Sequence, residues 1–253
     1  MTKKVVMKVT DVYIQQREGT YVAPCGFSCH EGFRFLGKRI HLFEESELPN
    51  LPLTPGTLVH GWVRTVQRAL TRIGKPVPSP VDYPDELQKY LAASVRQTTL
   101  GEIHASWSGP NPTPVFIKPV AHKQFTGHTV EKFSHLGETS DFPKDTPVWA
   151  ADVVDHVSEY RCFVHENALV GFKYYRGDPW LLPDKRTIIQ MIRDYAPSAP
   201  VAYGLDVGLV GDATNGYLTR LVETNDCFSL GNYGFDSVLY CEMLESRWLE
   251  MMS

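Results

Sequence analysis

Leu221-Val222-Glu223-Thr224-Asn225-Asp226, read together with Tyr203-Gly204-Leu205-Asp206-Val207-Gly208-Leu209-Val210, is the stretch on which the fold turns. Both segments are apolar runs, which favours strands. They are joined by Gly211-Asp212-Ala213-Thr214-Asn215-Gly216, a connection rich in turn formers. The spacing predicts an antiparallel pair over 201–210 and 217–223. Residues two apart on a strand share a face, so Glu223 and Asn225 point the same way and Asp206 can meet them from the neighbouring strand. Three oxygen donors converging on one spot suit a hard divalent cation such as Mg2+, which keeps waters and phosphate oxygens as its other ligands. The alternative is a solvated sheet face, which gives no reason for these residues to interrupt apolar strands.

Working outward, residues 159–165 and 168–175 read as a hairpin turning at Glu166-Asn167. Glu159 and Arg161 share a face of its first strand. There a carboxylate can accept from ribose hydroxyls and a guanidinium can grip phosphate, or the motif can belong to a cross-strand ion pair. Lys173 reaches the same face from the next strand, as a phosphate contact or as a structural lysine. Residues 114–119 form a short strand ending in Lys118-Pro119, followed by a polar loop over 120–129 with Lys123 and Gly127. A lysine beside such a loop can meet phosphate together with free backbone amides, or it can be a plain strand-edge lysine. The loop is not a Walker A motif, because Gly-Lys-Thr/Ser at the required spacing is missing. Residues 147–154 are a further strand. Asp184 and Asp236 cap two helices, with Ile188, Ile189, Met191, Ile192 and Tyr195 inward on the first and Val238, Leu239, Met243, Leu244 and Trp248 on the second.

The N-terminal third reads differently. Strands are expected over 4–14 and 39–44. A helix is expected from Thr54-Pro55, with Val59, Trp62, Val63, Val66, Leu70 and Ile73 on one face and Gly74 at its end. A Pro-rich connection leads to a short helix after Pro84, and the Ser-, Gly- and Pro-rich stretch 105–114 marks a boundary. The domains expected are 1–110 as an α/β region and 111–253 as a second domain, α+β in architecture.

Composition narrows the class. The chain has 253 residues, 43% hydrophobic and 21% charged, as expected of a soluble globular protein. A net charge of −4 offers no general attraction to nucleic acid. No apolar run approaches the ~20 residues of a membrane span, and the start is too short in apolar residues for a secretory signal. Five cysteines without paired spacing fit a reducing, cytoplasmic setting. Cys25 with Cys29-His30 is one short cluster without a second half-site and is a weak zinc signal beside ordinary buried thiols.

Taken in order, these pieces resemble the ATP-grasp superfamily from about residue 112 to 235. Phe116-Ile117-Lys118-Pro119 resembles its lysine strand and 121–129 its phosphate-covering loop. Residues 148–155 resemble the strand and hinge that meet adenine, which puts Asp152, Val153, Val154 and Asp155 at the base. Glu159 falls at the ribose carboxylate, and Asp206, Glu223 and Asn225 fall at the Mg2+ triad with the Glu-x-Asn spacing intact. Glu159-Tyr160-Arg161 and the run from Glu223 to Tyr233 are most similar to an ATP-grasp subgroup of bacteria and their phages. The resemblance implies an ATP-grasp fold, with 111–175 covering ATP and 176–253 as the metal-binding core. It also implies an ATP- and Mg2+-dependent ligase joining a carboxylate to an amine through an acyl phosphate. Its substrates would be small molecules or peptides, with no nucleic acid or membrane partner. Arg161 and Lys173 would neutralise the transferred phosphoryl group, and Asp226 would assist the amine or only cap a turn. Two departures stand out: Gly204 replaces an arginine common two positions before the first metal carboxylate, and the covering loop has one glycine. A non-catalytic ATP-binding module and a kinase-like phosphotransferase are the competing readings.

Overall fold

β1 (Asp11–Arg17) buries Val12, Tyr13, Ile14 and Gln15 in succession, the unbroken burial of a strand covered on both faces. The computed structural model describes residues 7–121 and 124–253. The two-residue β2 (Thr20–Tyr21) folds back antiparallel on the end of β1, while β3 (Arg39–Glu44) and β4 (Thr57–His60) flank β1 in parallel. Parallel neighbours need crossovers: α1 (Cys25–Phe35) lies between β1 and β3, a 3-10 helix (Glu45–Asn50) lies between β3 and β4, and α2 (Val63–Ile73) follows β4. Two expectations are corrected here. The first strand begins at Asp11, with residues 4–6 of the expected range outside the described residues. The helix expected from Thr54-Pro55 starts only at Val63, because residues 57–60 are all buried and pair in parallel with Asp11, Val12, Tyr13 and Ile14 of β1. Gly74 does close α2, in the left-handed conformation at φ 80°.

The second sheet combines β5 (Val95–Thr99), β6 (Val115–Pro119), β7 (His128–Val130) and β8 (Pro147–Asp152) in the antiparallel order β5-β8-β6-β7. α3 (Leu100–Trp107) covers it, with Leu100, Ile103 and Trp107 packed on Ile117, Val130 and Val148. Its start is a capping box, in which the Thr99 hydroxyl accepts from Glu102 N and the Glu102 carboxylate accepts from Thr99 N, both at 3.2 Å. β5 and α3 therefore belong with the strands that follow them. The Pro-rich loop at 105–114 joins α3 to β6 within this layer.

The third sheet holds β9 (Ser158–His165), β10 (Ala168–Gly177), β11 (Ala202–Asp212) and β12 (Gly216–Asp226) in the antiparallel order β10-β9-β11-β12. The β9–β10 turn is made by Glu166 and Asn167, both left-handed at φ 50° and 61°, as a tight hairpin matching the strand twist requires. β9 and β10 thus sit beside β11 and β12 in one sheet. One face of this sheet (Tyr160, Cys162, Val164, Tyr203, Leu205, Val207) packs on α4 (Lys185–Tyr195) through Ile188, Met191, Ile192 and Tyr195. The other face is apolar at one end, where Phe163 and Ala202 join the N-terminal core, and polar at the other.

α5 (Ser237–Met252) closes that N-terminal core from the far end of the chain, burying Tyr240, Cys241, Met243, Leu244 and Trp248. Asp236 caps it, accepting from Val238 N and Leu239 N at 2.9 Å. The connection after α2 is not loose either. Thr224 N donates to the Asp82 carbonyl at 2.9 Å and the Thr224 hydroxyl donates to the Val81 carbonyl, so this segment lies along β12 before a 3-10 helix (Asp85–Tyr90). Among the described residues no helix is long and apolar enough to cross a membrane.

Trp248 is 2% exposed and its indole N–H donates to the Pro55 carbonyl at 3.2 Å. Trp248→Ala is expected to lower stability by about 3–5 kcal/mol in urea denaturation. A loss below about 1 kcal/mol would show that α5 is not part of the core.

Candidate active site

The polar end of the third sheet is organised as a row. Across four neighbouring strands the register partners are Lys173, Arg161, Asp206 and Glu223. Residues in such a row stand side by side on one face, so two cations and two carboxylates line up across the sheet. In the middle, Arg161 Nε and Nη2 donate to Asp206 Oδ1 and Oδ2 at 2.7 and 2.6 Å, a bidentate pair with both residues buried. Asn225, two residues beyond Glu223, donates from Nδ2 to Asp206 Oδ2 at 3.2 Å and to Glu223 Oε1 at 3.0 Å. The three residues expected to converge do converge.

Gly204 has a physical role in this row. A Cβ at this position would come within 2.8 Å of Leu230 Cδ1 and 3.2 Å of Arg161 Nε. The bare glycine clears the path along which the Arg161 side chain crosses β11 to reach Asp206. The opposite side of the guanidinium faces the Tyr233 ring, 4.9 Å from its centroid, and Nη1 donates to the Gly231 carbonyl at 3.4 Å. Tyr233 is itself left-handed at φ 45° and stacks on Tyr175 with ring centroids 5.1 Å apart. A strained tyrosine held against a buried arginine is the kind of local strain that collects at functional sites.

Lys118 comes from the other sheet. Its Nζ donates to Glu223 Oε2 at 2.5 Å, pairs with Asp82, and lies 4.7 Å from the centre of the Tyr83 ring. Gly127 packs against the same strand, where a Cβ would meet Lys118 Cβ and Phe116 Cζ at 2.9 Å, so only glycine lets the covering loop come this close. Lys123 lies outside the described residues. Asp152 ends β8, while Val153, Val154 and Asp155 begin the link to β9, and Val153 is 46% exposed.

Other assignments change. Glu159 is buried, with Oε2 accepting from the Tyr175 hydroxyl at 2.8 Å and Oε1 from Arg176 at 3.0 Å. Cross-strand ion pairs thus exist for both charged residues of the motif, Glu159 with Arg176 of β10 and Arg161 with Asp206 of β11. Asp226 accepts from Arg247 Nε and Nη2 at 2.8 and 2.6 Å and caps Phe228 N at 3.1 Å. The idea that it assists an amine is corrected: both its oxygens are taken in a buried pair that anchors α5. Cys25 and Cys29 are buried, and the His30 ring is engaged with the Tyr21 hydroxyl at 2.7 Å. Asp82, Tyr83, Tyr175 and Tyr233 enter the site without having been singled out in the sequence. For Asp82 and Tyr83 the available signal was the Pro76–Pro80 run, which keeps the chain extended and able to lie along a strand.

Charge coupling holds the ionised forms of Glu223 and Lys118. Burial pushes Glu223 up, but the Lys118 ammonium and the Asn225 amide outweigh it and hold the carboxyl below its ordinary 4.5. Burial of Asp206 dominates over the pull of Arg161 and leaves its carboxyl above 3.8. Burial alone would lower Lys118, yet Glu223, Tyr83 and Asp82 raise it above 10.5. Tyr83 is pushed up to about 12, chiefly by burial.

The donor set fits a hard cation. Among the described residues no three of His, Cys, Asp and Glu are arranged as metal ligands, but here the third donor is an amide. Two carboxylates and the Asn225 amide share one hydrogen-bonded cluster. A turn of that amide would present its carbonyl oxygen where its nitrogen now donates.

A family model described as an ATP-grasp domain, family 2 of its clade, matches residues 90–243. No curated protein matches the sequence. Among solved structures, the D-alanine–D-alanine ligase from Bacillus anthracis superposes with a TM-score of 0.58 at 14% identity, over 97% of this chain and 98% of that one. The D-cycloserine synthetase DcsG superposes with a TM-score of 0.56 at 10% identity, over 94% and 99% of the two chains. A RimK domain ATP-grasp protein from Sphaerobacter thermophilus superposes with a TM-score of 0.54 at 15% identity, over 95% and 98%. At these identities the likeness is one of fold.

Because its folded value is depressed, ionised Glu223 contributes stability that is present above pH 4.5 and lost as the pH falls through the lower folded value. Asp206, shifted the other way, loses stability as pH rises from 3.8 through its folded value. Glu223→Gln is therefore expected to flatten the acid loss of stability below pH 4.5. Denaturation curves across that range test this, and an unchanged slope would mean that Lys118 does not hold Glu223 ionised.

Proposed function

Since this chain belongs to the ATP-grasp domain family, in family 2 of its clade, we propose that it is an ATP- and Mg2+-dependent ligase joining a carboxylate to an amine. The observation carrying this reading is the charged row Lys173–Arg161–Asp206–Glu223, completed by Asn225 and met by Lys118 from the second sheet. A structure sharing the fold over nearly the whole chain is by name a D-alanine–D-alanine ligase, which agrees with a substrate of amino-acid or peptide type.

A carboxylate does not acylate an amine at neutral pH, because oxide is a poor leaving group. Transfer of the γ-phosphoryl group of ATP to the carboxylate makes an acyl phosphate and ADP. The amine then attacks the acyl carbon, the C–O bond to phosphate breaks, and phosphate leaves as the amine gives up a proton. Catalysis of such transfers is mostly positioning and charge neutralisation. Asp206, Glu223 and Asn225 would hold Mg2+, whose contribution when bound is to neutralise phosphate oxygens.

The residues around the triad divide the remaining work. Lys118 exchanges Glu223 and Asp82 for phosphate oxygens when nucleotide arrives, which keeps its ammonium paired throughout. Arg161, with two donors committed to Asp206, acts as a positioning residue that fixes the carboxylate. Lys173 stands next to Arg161 in the row, and among the described residues it has no ion pair. It is the cation left to face the transferred phosphoryl group. The covering loop around Gly127 lies over Lys118 and excludes water, which would otherwise hydrolyse the intermediate. Residues 152–155 receive the base, and Glu159 receives the ribose by exchanging the solvent-facing Arg176 for a hydroxyl.

Glu223→Ala and Asn225→Ala are each expected to cut Mg2+-dependent ADP release by about a hundredfold or more, with the circular dichroism spectrum retained. The assay is a screen of amino acids and short peptides that reads free phosphate along with ADP. Normal turnover in both variants would remove them as metal ligands, and a phosphorylated product without free phosphate would replace the ligase with a kinase. Lys118→Ala is expected to weaken ATP binding about tenfold or more by calorimetry. Unchanged affinity would take Lys118 out of the site.

A further inference from the structure

Glu159 is met from β10 by two residues instead of one. Tyr174 pairs in register with Tyr160 and Arg176 with Glu159, so Tyr175 is the extra residue of a β-bulge. A bulge re-aims side chains, and bulges collect beside active sites. Its effect here is that Tyr175 and Arg176, neighbours in the chain, both reach one carboxylate. The Tyr175 hydroxyl donates to Oε2 at 2.8 Å and Arg176 Nη1 donates to Oε1 at 3.0 Å. Regular alternation would send the two to opposite faces of the sheet.

The two partners are not held alike. The Arg176 side chain is 73% exposed, and an ion pair so open to water is weak. Tyr175 is fixed along its length. Its ring stacks on Tyr233 with centroids 5.1 Å apart, Tyr233 lies 4.9 Å from the Arg161 guanidinium, and Arg161 is locked to Asp206. Burial, with the Asp206 and Glu159 charges beside it, pushes the Tyr175 hydroxyl well up, so it keeps its proton and serves Glu159 as a donor. On the other side, Glu159 pairs with Gly208 of β11. The His156 ring fills the space there, since a Cβ on Gly208 would come within 2.3 Å of its Cδ2. Glu159 itself is 5% exposed. Oε1 is therefore the oxygen that a ligand can take, by displacing Arg176.

We propose that Tyr175 is a positioning residue that sets the sugar selectivity of the nucleotide site: it keeps Oε2 of Glu159 occupied, so the carboxylate reads one ribose hydroxyl rather than two. A carboxylate with both oxygens free accepts from both hydroxyls of a vicinal diol. With one oxygen committed, it grips a single hydroxyl and is indifferent to the other. A site built to bond a hydroxyl rejects the analogue that lacks it, because the acceptor is left without a partner. The assignment rests on the ligase reading, with Glu159 as its ribose contact, and adds how much of the sugar is read.

ATP, 2′-deoxyATP and 3′-deoxyATP are the probes, titrated calorimetrically into the full chain. One deoxynucleotide is expected to bind at least about tenfold more weakly than ATP, and the other within about threefold of it. In Tyr175→Phe the freed carboxylate turns both oxygens to the sugar, and the difference between the two deoxynucleotides is expected to shrink below about threefold. A merely structural role for Tyr175 would weaken all three nucleotides alike and keep that difference. Arg176→Ala is expected to keep it, because Arg176 gives way when the sugar binds. Equal binding of the two deoxynucleotides to the unaltered chain, an undiminished difference in Tyr175→Phe, or its loss in Arg176→Ala would overturn the assignment. ATP binding and turnover separate this from the reading beneath it. If ATP binds but the deoxynucleotides do not differ, only the Tyr175 assignment falls. If they differ but no substrate stimulates Mg2+-dependent ADP release, the ligase falls and the sugar assignment stands. If no nucleotide binds, both fall.

Discussion

The buried pair between Arg161 and Asp206 is the constraint around which the rest of the site is arranged. Removing two charges from water is costly, and the attraction between them offsets this only when the geometry is good and the remaining donors and acceptors are met. The structure meets them with few parts: an unsubstituted glycine at 204, a carbonyl at Gly231, the Tyr233 ring and the Asn225 amide. Each is in place because the guanidinium is. Breaking such a pair from one side costs about 3–5 kcal/mol, because a buried charge is left alone. The row across the sheet is therefore stiff at its centre and softer at its ends, where Lys173 and Glu223 stand closer to solvent.

A second buried pair, between Asp226 and Arg247, shows how strand alternation separates chemistry from scaffolding. Asn225 turns toward Asp206 and Glu223. Asp226, the next residue, pairs in register with Tyr203, whose side chain belongs to the opposite core, and its carboxylate is held by α5. Adjacent residues on a strand point to opposite faces, so one position serves the site and its neighbour fastens the last helix.

Glu223 and Asn225 are legible in the sequence because their spacing matches the two-residue period of a strand and because polar residues there interrupt an apolar run. Asp206 is legible from the antiparallel reading of the same pair. The hairpin at Glu166-Asn167, the capped starts of α4 and α5 and the glycine that ends α2 were readable from local chemistry alone. β4 was not. Four consecutive buried residues leave no period to distinguish strand from helix, and Val59 fits either. Nor was the pairing of β5 with β8, since a stretch of prolines and glycines marks a loop but not whether the elements on each side share a sheet. Asp82, Tyr83 and Tyr233 reach the site through contacts made at long range, which no local pattern encodes. The role of Gly204 lies in what it leaves empty, and it appears only once Arg161 is seen to pass over it.

The threading of the chain between residues 76 and 107 bears on how this molecule can be dissected. Along this stretch the backbone first lies against the outer strand of one sheet through Thr224, then sends Asp82 to Lys118 of another, and then becomes the edge strand of that other sheet. Cutting at the apparent seam near residue 110 would uncover the hydrogen-bonding rims of both sheets at once and strip a counter-ion from the lysine. Exposed rims of that kind recruit other chains. The segment resembling the family is thus not a portable module: on its own it would be expected to self-associate rather than to fold as a smaller version of the whole.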